Sequence, residues 1–169
     1  MLSALGQRRA RFLAGMACVA VLATACVSGA GAPPAPQPAQ PSTSANVVEL
    51  VAVVNKVRAD HGLPPFARNG QLDALAADWS AHMASTGVFA HRDLQATIEQ
   101  PAFSGFRRLG ENILRGVCAI SAREMVDAWM NSAGHRDNVL STVYDTIGIG
   151  VVCGPDGRVW ATQNFGDAR

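Results

Sequence analysis

The chain has 169 residues, a formal net charge of +1 and 16% charged side chains. With 14 basic against 13 acidic residues it carries no surplus for the basic stripe of a nucleic-acid binder. Its length allows one ordinary domain with short appendages.

The N-terminus opens with Arg8, Arg9 and Arg11, followed by an apolar core from Phe12 to Cys26. That core is shorter than the roughly 20 apolar residues of a spanning helix. A charged start, a short apolar core and small residues at its end predict a signal peptide over residues 1–26. Leu22-Ala23-Thr24-Ala25-Cys26 resembles a bacterial lipoprotein signal, whose cysteine is lipidated after cleavage. Ala23 stands where that signal usually has leucine. Lipidation at Cys26, simple secretion and an uncleaved anchor stay open as alternatives.

Residues 27–45 read as a linker. Gly31–Ser44 has no charge and no large apolar side chain, with prolines at 33, 34, 36, 38 and 41. Such a segment cannot offset its own ordering entropy. It makes a semi-rigid tether rising about 3 Å per residue where it is polyproline-like. Attached to a lipidated Cys26, it would hold the domain off the membrane, which the lipid anchor alone would touch.

The domain proper is assigned to residues 46–169. Without the three signal arginines, 11 basic face 13 acidic residues, a net −2. A first helix begins at Asn46, with Val47, Leu50, Val51, Val54 and Val57 forming one apolar stripe. It ends near His61-Gly62. Asn69 caps a second helix, with Leu72, Leu75, Ala76, Trp79 and Met83 on one face. Gly87 stops it. Leu94–Phe106 is irregular, with one helical turn before Pro101. Glu111–Val117 reads as a strand. Ser121-Ala122-Arg123-Glu124 is a capping box, opening a third helix that turns Met125, Ala128 and Trp129 inward and breaks at Gly134. Thr146–Cys153 and Arg158–Phe165 are strands joined by a turn at Gly154–Gly157. Helices outside a small antiparallel sheet make an α+β fold, either a simple α+β packing or a three-layer one.

Cys118 and Cys153 are the only cysteines in this domain. An exported domain meets oxidising conditions, and a bridge between them would contribute about 3–4 kcal/mol on the loop-entropy account. Two buried thiols are the alternative. A zinc site from these two lacks the paired spacing such sites use.

Three short segments carry ionisable side chains beside glycine or an aromatic. His91 lies in Phe89-Ala90-His91, on a loop after a helix. Glu111 lies in Gly110-Glu111-Asn112-Ile113, at the start of a strand. His135 follows Gly134 in Trp129–Arg136. Two imidazoles and a carboxylate can bind a divalent cation or share protons. Glu111 can orient an imidazole or act as a ligand; a structural histidine at position 91, backbone bonds at Glu111 and helix capping around His135 are the other readings. The capping box accounts for Glu124. Ser132 and His135 are only three residues apart with no nucleophile elbow around the serine.

In this order, these segments resemble the bacterial branch of the CAP superfamily: cysteine-rich secretory, antigen 5 and pathogenesis-related 1 proteins. Val54–Arg58, Gly62–Pro65, Ile147–Val151 and Trp160–Phe165 fit as well, so the resemblance covers nearly all of 46–166. It implies a three-layer α-β-α sandwich with a central cavity. In the family two histidines and two acidic residues line that cavity, and some members hold zinc or another divalent cation there. His91, Glu111 and His135 match three of the four, and Ser132 replaces the second carboxylate. The metal ligands implied are His91, Glu111 and His135, and the cavity lining adds Ser132. Losing one anionic ligand lowers the expected cation affinity.

Three functional classes follow. One is a non-enzymatic extracellular binding module for a lipid, a sterol-like molecule, a peptide or a cell-wall component. The second is a metal-dependent hydrolase with Glu111 and His135 as its candidate catalytic residues. The third is a structural or interaction domain with a vestigial site. Oligomeric state is not specified by any of these features.

Overall fold

The computed structural model describes residues 43–169, with side chains from residue 47 onward. The signal peptide, the lipidation site at Cys26 and the linker before residue 43 lie outside the described residues. The elements are α1 (Thr43–Asp60), β1 (Ala67–Arg68), α2 (Gly70–Thr86), α3 (Leu94–Ile98), β2 (Phe106–Val117), α4 (Ala122–Met130), α5 (Ala133–Val139), β3 (Thr146–Cys153) and β4 (Arg158–Ala168). A single 3-10 turn, Pro101–Phe103, follows α3.

Local chemistry sets most of the helix ends. Asn69 Oδ1 accepts from the backbone N–H groups of Gln71 and Leu72, and Gly87 ends α2 at φ +72°. Ser121 and Glu124 form the reciprocal capping box of α4. Three helical expectations need correction. α1 starts at Thr43, before its apolar stripe, because periodicity marks only the part that packs. Ala128 is exposed, and Met125, Val126 and Trp129 are the buried positions of α4. The break after α4 falls at Asn131-Ser132, while Gly134 sits inside α5.

The strands run in the order β1-β3-β4-β2. β2, β4 and β3 are antiparallel neighbours, but β1 runs parallel to β3, so the sheet is mixed. A two-residue strand after Pro64-Pro65 has no periodicity to reveal it. β2 and β4 are both longer than expected, and the additional tails pair with each other: Leu109 faces Gly166 and Phe106 faces Ala168. Gly110 and the Arg107-Arg108 pair hide the alternation there, and pairing overrides it.

Side-chain alternation divides the sheet into two faces. Ile147, Ile149 and Val151 of β3, Val159, Ala161 and Phe165 of β4 and Leu114 of β2 pack with α1, α4 and α5. The other face meets α2 through Ile113 and Trp160 against Met83. The result is a three-layer α-β-α sandwich. Two glycines allow α2 its position. A Cβ on Gly148 would lie 2.1 Å from the Leu72 carbonyl carbon, and one on Gly150 2.2 Å from the Ala77 nitrogen. The atoms in the way are helix backbone, which cannot rotate aside.

Two interactions join elements distant in sequence. Arg58, 1% exposed, donates to the carbonyls of Pro64, Val139 and Ser141 at 2.8 Å each and lies 3.6 Å from the Phe66 ring centre. Cys118 and Cys153 form a disulfide, with Cα atoms 5.6 Å apart, joining the end of β2 to the end of β3.

Two alanine substitutions should therefore act with opposite sign. Gly150→Ala should destabilise the domain by about 2–3 kcal/mol through overpacking. Gly134→Ala, whose Cβ would meet open space, should be neutral or stabilise by up to about 1 kcal/mol. Urea unfolding checks both, and equal midpoints would contradict the close approach of α2 to β3.

Candidate functional site

The site lies at the outer edge of β2, the last strand of the sheet. Glu111 shares the α2 face with Ile113, while Asn112 shares the α4–α5 face with Leu114. From these two consecutive residues the strand reaches both ways.

On the first side, the Glu111 side chain is 1% exposed. Its Oε1 accepts from His91 Nδ1 at 2.8 Å and from the Arg92 backbone N–H at 3.0 Å. Asn164 Nδ2 approaches Oε2 at 3.5 Å. The loop after α2 is thus fastened to the strand by one buried carboxylate. A carboxylate oxygen can only accept, so the ring proton sits on Nδ1 and Nε2 is left facing outward. Further contacts hold the loop: Trp79 Nε1 donates to Ala90 O, and the Arg92 guanidinium stacks over Trp79 and pairs with Asp78.

On the second side, Asn112 is completely buried. Its Nδ2 donates to His135 O and to Gln163 Oε1, both at 3.0 Å, and its Oδ1 accepts from Asn138 Nδ2 at 2.9 Å. Asn138 Nδ2 also reaches Glu111 O at 3.2 Å. This amide chain locks α5, and with it the His135 backbone, against the strand.

The two imidazoles come from opposite sides of β2 and meet at its edge. Their ring centres are 6.4 Å apart and their planes stand 61° to each other. Burial, then the neighbouring His91, lowers the His135 pKa from its ordinary value. Ser132 is the half-buried N-cap of α5, and its hydroxyl makes no capping bond.

The structure thus brings His91, Glu111 and His135 together, in unequal roles. Among the described residues no three His, Cys, Asp or Glu side chains stand close enough to hold a metal ion. Glu111 faces His91 Nδ1 and not a shared point, so it serves as the orienting partner that metal-bound histidines commonly have. Two imidazoles on one tetrahedral zinc would have ring centres about 5 Å apart. The observed separation of 6.4 Å is wider than that.

Sequence reasoning missed the amides Gln163 and Asn164, and the part Asn112 plays. Their signal was polarity without charge inside strands that are otherwise apolar. Beside the site, a groove of about 390 Å³ runs between α3 and the start of β2, floored by Leu94, Ile98 and Leu109. None of His91, Glu111, Ser132 or His135 lines it. No described helix is long and apolar enough to cross a membrane.

Comparison with known proteins agrees with this architecture. The family model described as "CAP: Cysteine-rich secretory protein family" matches residues 51–165. The YkwD protein of Bacillus subtilis is 33% identical over 131 residues, 74% of this chain and 49% of that protein. The chain therefore spans about half the length of that relative. Among solved structures, an outer surface protein from Borrelia burgdorferi superposes with a TM-score of 0.66 at 20% identity, covering 75% of this chain and 96% of that one. An extracellular protein containing an SCP domain from Bacillus anthracis gives 0.60 at 28% identity, covering 77% and 44%.

Removing the amide hub should be costly. Asn112→Ala leaves Gln163, Asn138 and the His135 carbonyl without their shared partner, and should destabilise the domain by about 2–4 kcal/mol. Denaturant unfolding measures it, and a loss below about 1 kcal/mol would contradict the hub.

Proposed function

This chain belongs to the CAP family of cysteine-rich secretory proteins, and we propose that it is an exported, non-enzymatic binding module whose His91–His135 pair takes a divalent cation. The ligand classes considered are a lipid, a sterol-like molecule, a peptide or another cell-envelope component. The observation that carries this reading is the commitment of Glu111. A general base must be free to reach the proton it abstracts. The Glu111 carboxylate is buried, and its Oε1 is already shared by His91 and Arg92. That arrangement favours a fixed recognition site over a hydrolase, the alternative considered above.

Zinc or another divalent ion would be held by His91 and His135. Bound there, the ion supplies a positive centre with exchangeable positions for an anionic group. The chain's own residues do the rest: Glu111 fixes the His91 ring, Asn112 fixes the backbone at His135, and the neutral form favoured at His135 leaves a lone pair to donate. Ser132 contributes no anion, which weakens the site relative to a four-donor one. The signal-like residues 1–26 and the Cys118–Cys153 bridge support export.

The double variant His91→Ala/His135→Ala should abolish cobalt or zinc uptake in calorimetric titration. The variant should stay folded, because the Arg92 backbone N–H still serves the Glu111 carboxylate, at a cost of about 1–3 kcal/mol for the lost His91 bond. Equal metal binding by parent and variant would remove the cation site.

A further inference from the structure

The groove between α3 and the start of β2 has a composition that selects its occupant. Leu94, Ile98 and Leu109, all half-buried, give it an apolar floor. Its polar lining consists of Gln95, Arg107, Arg108 and Tyr144. Arg107 is committed: its Nε lies 3.1 Å from both carboxylate oxygens of Asp167. Arg108 is exposed and makes no ion pair among the described residues. Gln95 donates its amide N–H to Glu99 at 2.7 Å, which leaves its carbonyl oxygen to accept. Tyr144 reaches Leu109 O only at 3.4 Å.

We propose that this groove binds the free C-terminal carboxylate of a short peptide ending in aliphatic residues. Arg108 meets the carboxylate through its planar fork. The Gln95 carbonyl oxygen accepts a peptide N–H, and the aliphatic side chains lie on Leu94, Ile98 and Leu109. A fatty acid would satisfy Arg108 and the floor but leaves the carbonyl oxygen of the exposed Gln95 to water, whereas a peptide N–H adds a hydrogen bond there. The proposal deepens the binding-module reading by naming its ligand class. It does not depend on the cation pair, because neither histidine lines the groove.

The test uses the full chain, isotope-labelled, with the tetrapeptide acetyl-Ala-Ala-Leu-Leu as free acid and as C-terminal amide, and with decanoate as a third probe. The acid should shift the backbone resonances of Gln95, Arg108 and Leu109 with a dissociation constant below about 1 mM. The amide, or the acid with Arg108→Gln, should bind at least about tenfold more weakly. Arg108 is exposed, so the variant folds, and its spectrum verifies this. Equal shifts from acid and amide, no shift at about 5 mM, or a response to decanoate alone would overturn the proposal. Cobalt titration of the same sample separates the two readings. Cobalt uptake with no peptide response sinks the groove alone, and peptide binding with no cobalt uptake sinks the cation site alone.

Discussion

The free edge of β2 is the constraint on which the rest of this structure depends. A twelve-residue edge strand presents backbone carbonyls that must find donors. Here they find side chains. Leu109 O accepts from the Tyr144 hydroxyl, Glu111 O from Asn138 and Ile113 O from Trp129 Nε1, at 3.4, 3.2 and 3.2 Å. Alternate carbonyls are thus served by the segment before β3, by α5 and by α4. Covering the edge is what brings α5 to the strand, and His135 comes with it. The same strand holds the opposite loop through Glu111. The meeting of the two imidazoles is a by-product of closing an edge that would otherwise pair with other chains.

Around that edge the sandwich is held rigidly enough to fix side chains. α2 can lie against β3 only because positions 148 and 150 have no Cβ, and its C-terminal end then launches the His91 loop over the strand. On the other face, Arg58 joins the end of α1 to the end of α5 through three carbonyls and no carboxylate. Its burial lowers its pKa from the ordinary arginine value, yet with no acid beside it the guanidinium keeps its charge and acts as a cationic hydrogen-bond hub. Both devices use backbone groups as partners. Side-chain patterns alone therefore say little about either.

Much of this was legible from particular residues. The stripe Val47–Val57, the caps at Asn69, Gly87 and Ser121, and the strand Thr146–Cys153 follow from short-range chemistry, and the structure has them. His91, Glu111 and His135 were found because charged side chains next to glycine and aromatics stand out in an apolar domain. What escaped was set by pairing. The extensions of β2 and β4 exist because each stabilises the other, and β1 exists only as a partner for β3. The division of labour at the site was hidden as well. The resemblance implied His91, Glu111 and His135 as ligands together, whereas the fold puts Glu111 behind His91 and makes the uncharged Asn112 the link to His135.

The central claim is that the buried Glu111 carboxylate fixes the His91 ring with its proton on Nδ1 and leaves Nε2 free. Long-range nitrogen–proton correlation spectra of the histidine side chains at mildly alkaline pH test it most directly. The account requires His91 to be a single tautomer protonated at Nδ1. A proton on Nε2, or the tautomer mixture of a free histidine, would contradict it.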